Sequence, residues 1–184
     1  QVLIRVSYAG VNRPDLLQRQ GNYKVPESAS DLPGLEVSGT IVDKKGTNLN
    51  FNIGDKVCAL CHGGGYAEYA SVDIGHCMII PKNYSMQEAA CIPETFITVW
   101  SNLFLRGKLL KNEKVLIHGG ASGIGTTAIQ LAKHFGSKVY ATAGTDEKCL
   151  AAEKIGATKC INYKKLEFEN EINQLTNGEG VDVI

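Results

Sequence analysis

The residues best suited to chemistry lie in one run, Val115-Leu116-Ile117-His118-Gly119-Gly120-Ala121-Ser122-Gly123-Ile124-Gly125. A short apolar stretch passes straight into a glycine-rich turn and then into residues with helical spacing. Such a turn lets backbone N–H groups approach a pyrophosphate, and the helix N-terminus adds partial positive charge. Gly120 and Gly125 take the first and last positions of a G-x-G-x-x-G fingerprint, and Ser122 takes the middle one. Glycine at the middle position would allow the closest backbone approach, and Gly123 beside it is expected to restore some of that freedom. A glycine turn with a packing role only is the competing reading. The setting, between an expected strand and an expected helix, favours a dinucleotide site.

The following strand should select the dinucleotide. NAD sites usually carry Asp or Glu at its tip, accepting from the ribose 2′-hydroxyl. Here the strand is expected to end at Ala143-Gly144, with Lys148 in the next turn. A cation and no carboxylate at the tip favours a 2′-phosphate and hence NADP(H). Asp146 and Glu147 could also reach a ribose, and Lys148 could be an ordinary solvated helix residue. His118 is expected to pack or to make a local hydrogen bond rather than act as a base, and His62 to border a cleft. Cys58-x-x-Cys61 with His62 is the one arrangement that suggests zinc. Residues 57–60 read as a strand, however, which would send the two thiols to opposite faces.

These residues need elements to hold them. Before residue 96 the chain reads as short strands and turns: Gln1–Tyr8, Val37–Asp43, Lys56–Leu60 and Tyr66–Val72, a spacing that suits a small β-barrel or sandwich. Ser85 and Glu88 form a capping box that should open a helix, which Pro93 should end or kink. From there the rhythm becomes strand–helix: helix Phe96–Arg106, strand Lys114–His118, a helix through Ile124 to Phe135, strand Lys138–Ala143, helix Glu147–Ile155, strand Cys160–Tyr163, helix Phe168–Leu175 and strand Val181–Ile184. That alternation predicts an α/β architecture with a parallel sheet.

The chain has 184 residues and no net charge, with 19 basic and 19 acidic side chains. This balance offers no electrostatic footprint for nucleic acid. No apolar run approaches the ~20 residues of a membrane span. Six cysteines without a secretory signal point to a reducing, cytoplasmic setting. Because the first and last residues fall inside expected strands, the chain reads as a fragment of a longer protein.

Four segments occur in an order that resembles a known family: Gly10-Val11-Asn12-Arg13-Pro14-Asp15, Gly34-Leu35-Glu36-Val37-Ser38-Gly39, Gly64-Gly65-Tyr66-Ala67-Glu68-Tyr69 and the Gly119–Gly125 turn. Together they look like a zinc-free quinone oxidoreductase of the medium-chain dehydrogenase/reductase superfamily, a group that includes zeta-crystallin and p53-inducible quinone oxidoreductases. The resemblance implies a GroES-like β-barrel catalytic domain over 1–96 and a doubly wound Rossmann domain over 97–184, each truncated. It implies no catalytic zinc, since the two ligand positions hold Asn12 and Leu35.

The resemblance also implies a site. Asn12 and Thr98 would lie by the nicotinamide and Tyr23 would line the substrate cavity. Ser122, Gly123 and Ile124 would line the cofactor, and Tyr163 would flank its adenosine end. The implied reaction is hydride or electron transfer from NADPH to a quinone in a protein that pairs as a homodimer. Two alternatives stand beside it: an NADPH-dependent enoyl or enone reductase, and a non-catalytic NADPH-binding protein.

Overall fold

The computed structural model describes residues 1–46 and 50–184, which form two compact units, Gln1–Glu94 and Thr95–Ile184. The first is built on an antiparallel sheet of β1 (Val2–Ala9), β2 (Glu36–Lys44), β3 (Lys56–Leu60), β4 (Tyr69–Val72) and β5 (Cys77–Ile79), in the order β4-β1-β2-β3-β5. Period-two alternation sends Val2 and Ile4, Val37, Val57 and Ala59, and Ala70 and Val72 into one shared core. β5 is only three residues long and lies outside the sequence-based expectations.

Two short helices attach to this sheet. α1 (Arg13–Arg19) follows β1, with Asn12 as its N-cap residue, Pro14 in its first turn and Asp15 at its third position. α2 (Met86–Ala89) opens at Ser85, whose hydroxyl accepts from Glu88 N–H at 3.2 Å while Glu88 Oε2 accepts from Ser85 N–H at 2.8 Å. The capping box therefore forms as expected. Pro93 does something else: α2 has already ended at Ala89, and Pro93 is the first residue of α3 (Pro93–Val99). Proline has no N–H to lose at the start of a helix, so it initiates here instead of terminating. The expected helix Phe96–Arg106 is divided accordingly. Its second half, Trp100–Arg106, widens into a π-helical turn in which Gly107 N–H reaches Asn102 O at 2.8 Å.

The second unit carries the parallel sheet. β6 (Lys114–Ile117), β7 (Lys138–Ala143) and β8 (Lys159–Asn162) pair in that order, joined by α4 (Gly123–His134) and α5 (Asp146–Ile155). α6 (Phe168–Leu175) then returns the chain across the sheet, and Val183 bridges Val115 on the far side of β6. The expected fourth strand is thus a single parallel bridge. The spatial order β8-β7-β6-Val183 is the Rossmann order, with its reversal beside β6. Alternate residues divide between the two faces. Val115, Val139, Ala141 and Cys160 pack with α4 and α5, while Leu116, Tyr140 and Ile161 pack with Ile172 of α6. Both faces are covered, as a parallel sheet requires.

Candidate functional site

The glycine turn leaves the C-terminal end of β6 at the point where strand order reverses, which is where open α/β sheets bind ligands. Each glycine in it has a different physical task. Gly119 holds a left-handed φ of 68°. Gly120 N–H donates to Thr142 O at 2.8 Å, and a Cβ on Gly120 would lie 2.9 Å from that of Ala141. A Cβ on Gly125 would lie 2.2 Å from Gly119 O, so α4 can start against the turn only because Gly125 has no side chain. Gly123 does not supply the backbone freedom expected of it. It is helical, and the nearest atom to its Cβ position is 3.5 Å away. The left-handed residue is Gly119, which the fingerprint does not single out. Ser122 caps α4, its hydroxyl accepting from Gly125 N–H at 2.9 Å.

The sequence-derived candidates around this turn fall into two cavities. One, of about 230 Å³, gathers Ser122, Gly144, Lys148 and Tyr163 with Gly119, Ala121 and Ala143. Tyr163 lies across Gly144, whose Cβ would sit 2.7 Å from the tyrosine hydroxyl oxygen. The other, of about 480 Å³ and mostly apolar, brings Thr98 and Ile124 together with Ile117 and His118. Gly120, Gly123 and Gly125 line neither; Gly120 and Gly125 shape the turn from behind.

The first turn of α5 sorts its charges by partner. Asp146 accepts from Asn162 Nδ2 at 2.7 Å and pairs with Lys165 Nζ at 2.5 Å, contacts that hold its carboxyl below the usual range. It faces a different cavity, lined by Cys149, Glu153 and Cys160. The Glu147 carboxyl is held low by its own N–H and by the Thr145 hydroxyl. Lys148 is the only one of the three that lines the cavity with the glycine turn. His118 makes a local contact, with Nδ1 3.1 Å from Thr142 Oγ1 and its ring edge-on to Phe168 at 4.9 Å.

In the Gln1–Glu94 unit, Asn12 belongs to a buried polar network. Its Nδ2 donates to Glu36 Oε1 at 2.8 Å, and Glu36 Oε2 accepts from Glu94 N–H at 2.9 Å. Asp15 Oδ2 accepts from Asn12 N–H and from the Tyr66 hydroxyl, both at 2.9 Å, and Asp15 Oδ1 accepts from Gly34 N–H at 2.9 Å. Asp15 and Glu36 are only 4% and 2% exposed. Burial pushes the Glu36 and Glu94 carboxyls above the ordinary range, and the neighbouring carboxylates push Glu94 further. Burial and the Asp15 carboxylate together drive the Tyr66 phenol up to about 12.

Glu36, Asp15 and Tyr66 carry no role in the sequence analysis, although each stands inside one of the glycine-bearing segments. The signal the sequence offers is an acid within such a segment; its burial and partners come only from the fold. Tyr23 is exposed in the connection between α1 and β2, outside this network. The zinc-ligand positions hold Asn12, bonded to Glu36, and Leu35, whose carbonyl accepts from Cys61 N–H at 2.7 Å. Cys58 and Cys61 are buried, and burial raises the Cys61 thiol to about 12.

Comparison with known proteins adds to this geometry. The family model described as "Alcohol dehydrogenase GroES-like domain" matches residues 1–82, and "Zinc-binding dehydrogenase" matches residues 123–184. The chain is 33% identical to a quinone oxidoreductase of Sus scrofa, with all of this chain and 56% of that protein aligned. Among solved structures, Escherichia coli quinone oxidoreductase complexed with NADPH superposes with a TM-score of 0.84 at 28% identity, over 98% of this chain and 55% of that one. The CurK enoyl reductase superposes with a TM-score of 0.87 at 32% identity, over 99% and 57%. The chain spans about half the length of that Sus scrofa relative and 7% of a highly reducing polyketide synthase of Dothideomycetidae sp. to which it is 35% identical.

Proposed function

Because this chain belongs to the quinone oxidoreductase-like family of medium-chain dehydrogenases and reductases, we propose that it holds NADPH and reduces a quinone without a protein-bound zinc. The observation that carries the cofactor choice is the 230 Å³ cavity at the glycine turn, whose only ionisable lining residues among the described residues are Lys148 and Tyr163. A 2′-phosphate there would meet a cation, whereas the acids able to serve a 2′-hydroxyl are engaged elsewhere. A bound nicotinamide supplies the hydride. The protein's part is to orient and to exclude water. Ser122 and the glycines open the turn to the pyrophosphate, Gly144 and Tyr163 bracket the adenosine end, and Ile124 and Thr98 wall the apolar cavity. Asn12 and Tyr23 orient the acceptor. A quinone is electrophilic enough to need no Lewis acid.

The test is separate titration of NADPH and NADH into the intact protein, with and without Lys148→Ala. A preference for NADPH that falls by about tenfold or more in the variant fits one lost charge-assisted hydrogen bond. Equal affinity for both dinucleotides in the unaltered protein overturns the Lys148 assignment.

Similarity to the CurK enoyl reductase favours a second reading, reduction of an α,β-unsaturated carbonyl or thioester by the same cofactor. Turnover of a 2-enoyl thioester but not of a benzoquinone would select it. Cofactor binding with no turnover of either would select a non-catalytic role. The proposal extends to a cytoplasmic homodimer with no nucleic-acid or membrane partner; the zero net charge supports the lack of a nucleic-acid partner.

A further inference from the structure

Glu36 is 2% exposed, yet both its carboxylate oxygens are occupied by donors from distant parts of the chain, Asn12 Nδ2 and Glu94 N–H. Its place is enforced from behind as well. A Cβ on Gly10 would lie 2.1 Å from Glu36 Oε1, so residue 10 must lack a side chain for the carboxylate to reach Asn12. Asn12 is thereby held twice. Its main-chain N–H is bound by Asp15, and its side chain by Glu36.

The two ends of an asparagine amide are nearly equal in size, so shape alone does not decide which way it faces. Hydrogen-bond chemistry does, because an ionised carboxylate can only accept. Facing Glu36, Asn12 must turn its nitrogen inward, which leaves the carbonyl oxygen on the opposite edge, beside the Asp15 N–H of the α1 capping box and with a second lone pair to offer.

We propose that Glu36 is a positioning residue: it fixes the flip of the Asn12 amide, so that Asn12 meets its ligand as a hydrogen-bond acceptor and selects a donor group on it. A carboxamide NH₂ or the hydroxyl of a reduced, dihydroxy-aromatic product has that chemistry. This inference rests on the reading of Asn12 as a residue that touches nicotinamide or the acceptor.

Glutamine at position 36 makes a discriminating test. It offers one acceptor and one donor where Glu36 offers two acceptors, so it cannot satisfy both Asn12 Nδ2–H and Glu94 N–H. Either Asn12 flips or a donor faces a donor.

The experiment compares the intact protein with Glu36→Gln, Asn12→Ala and the double variant, reading kcat and KM for NADPH oxidation by a benzoquinone. It also follows the Asn12 side-chain ¹⁵N–¹H₂ signals, identified by their loss in Asn12→Ala. The expected result is a fall in kcat/KM of about tenfold or more in Glu36→Gln, no further fall when it is added to Asn12→Ala, and displaced Asn12 amide signals. Additive losses, or amide signals unmoved in Glu36→Gln, overturn the proposal while leaving Asn12 at the site. Full activity of Asn12→Ala overturns the reading of Asn12 itself, and the amide signals then still report whether Glu36 holds that side chain. Should Glu36→Gln fail to fold, Gly10→Ala carries the test, since it keeps the charge but pushes the carboxylate off Asn12.

Discussion

The glycine turn and the carboxylate network reach similar precision by opposite routes. The turn is contiguous: just after β6, Gly119 to Gly125 make the left-handed residue, the cap and the helix start. Its parts meet because they are neighbours in the chain. The network is assembled from β1–α1, β2, the connection before β4 and the start of α3, joining residues 24, 51 and 58 positions apart. Its parts meet only once the antiparallel sheet has formed. A contiguous device should fail through backbone sterics, and an assembled one through unmatched buried charge.

The largest expected effect follows from the sterics. Gly125→Ala places a Cβ 2.2 Å from the backbone oxygen of Gly119, which no side-chain motion can relieve. It should cost roughly 3 kcal/mol and abolish dinucleotide binding. Gly123→Ala, two residues away, meets nothing closer than 3.5 Å and should change stability by less than about 1 kcal/mol, in the stabilising direction. Thermal unfolding of the two variants checks the pair. Equal losses would mean that the turn is not held by the Gly119–Gly125 approach.

The assembled device is tested next by Asp15→Asn, which keeps shape and removes charge. Asp15 accepts from Asn12 N–H, Gly34 N–H and the Tyr66 hydroxyl. An amide nitrogen cannot accept, so at least one of these donors loses its partner, at a cost of about 2 kcal/mol. Tyr66→Phe, which removes only the hydroxyl, should cost about half as much. A smaller loss in Asp15→Asn than in Tyr66→Phe would show that the carboxylate is not the centre of the network.

The same distinction explains what could be read from the sequence. β3, β7 and α6 fall where periodicity places them, and Gly136 and Gly156 follow the ends of α4 and α5 with φ of 85° and 137°. These are local signals. So is the cluster of Ser122, Gly144, Lys148 and Tyr163, since the strand ends of a parallel sheet bring successive turns to one edge. α1 was overlooked although Asn12, Pro14 and Asp15 are all start signals, because seven residues give the apolar period too little room to repeat. Glu36 looked like one letter of a glycine-bearing motif. Its role lies in a contact with Asn12 that no spacing rule contains. The expectation that Pro93 ends or kinks a helix misses because proline marks a boundary without saying on which side the helix lies.

The smallest effect tests which of two opposing forces governs the edge of the network. Glu94 lies in the first turn of α3, where the helix dipole favours a carboxylate by a few tenths of a kcal/mol. Burial and the charges of Glu36 and Asp15 oppose ionisation and push the Glu94 carboxyl above the ordinary range. A group whose folded pKa is raised contributes stability below its unfolded value and loses it as pH rises through its folded value. Glu94→Gln keeps the main-chain N–H that binds Glu36 and removes only the titrating group. It should therefore gain on the unaltered protein as pH rises from about 4 to 7, read as a widening gap in unfolding temperature. A gap that moves the other way with pH would mean that the helix dipole outweighs the crowding, and that the three acids do not strain one another.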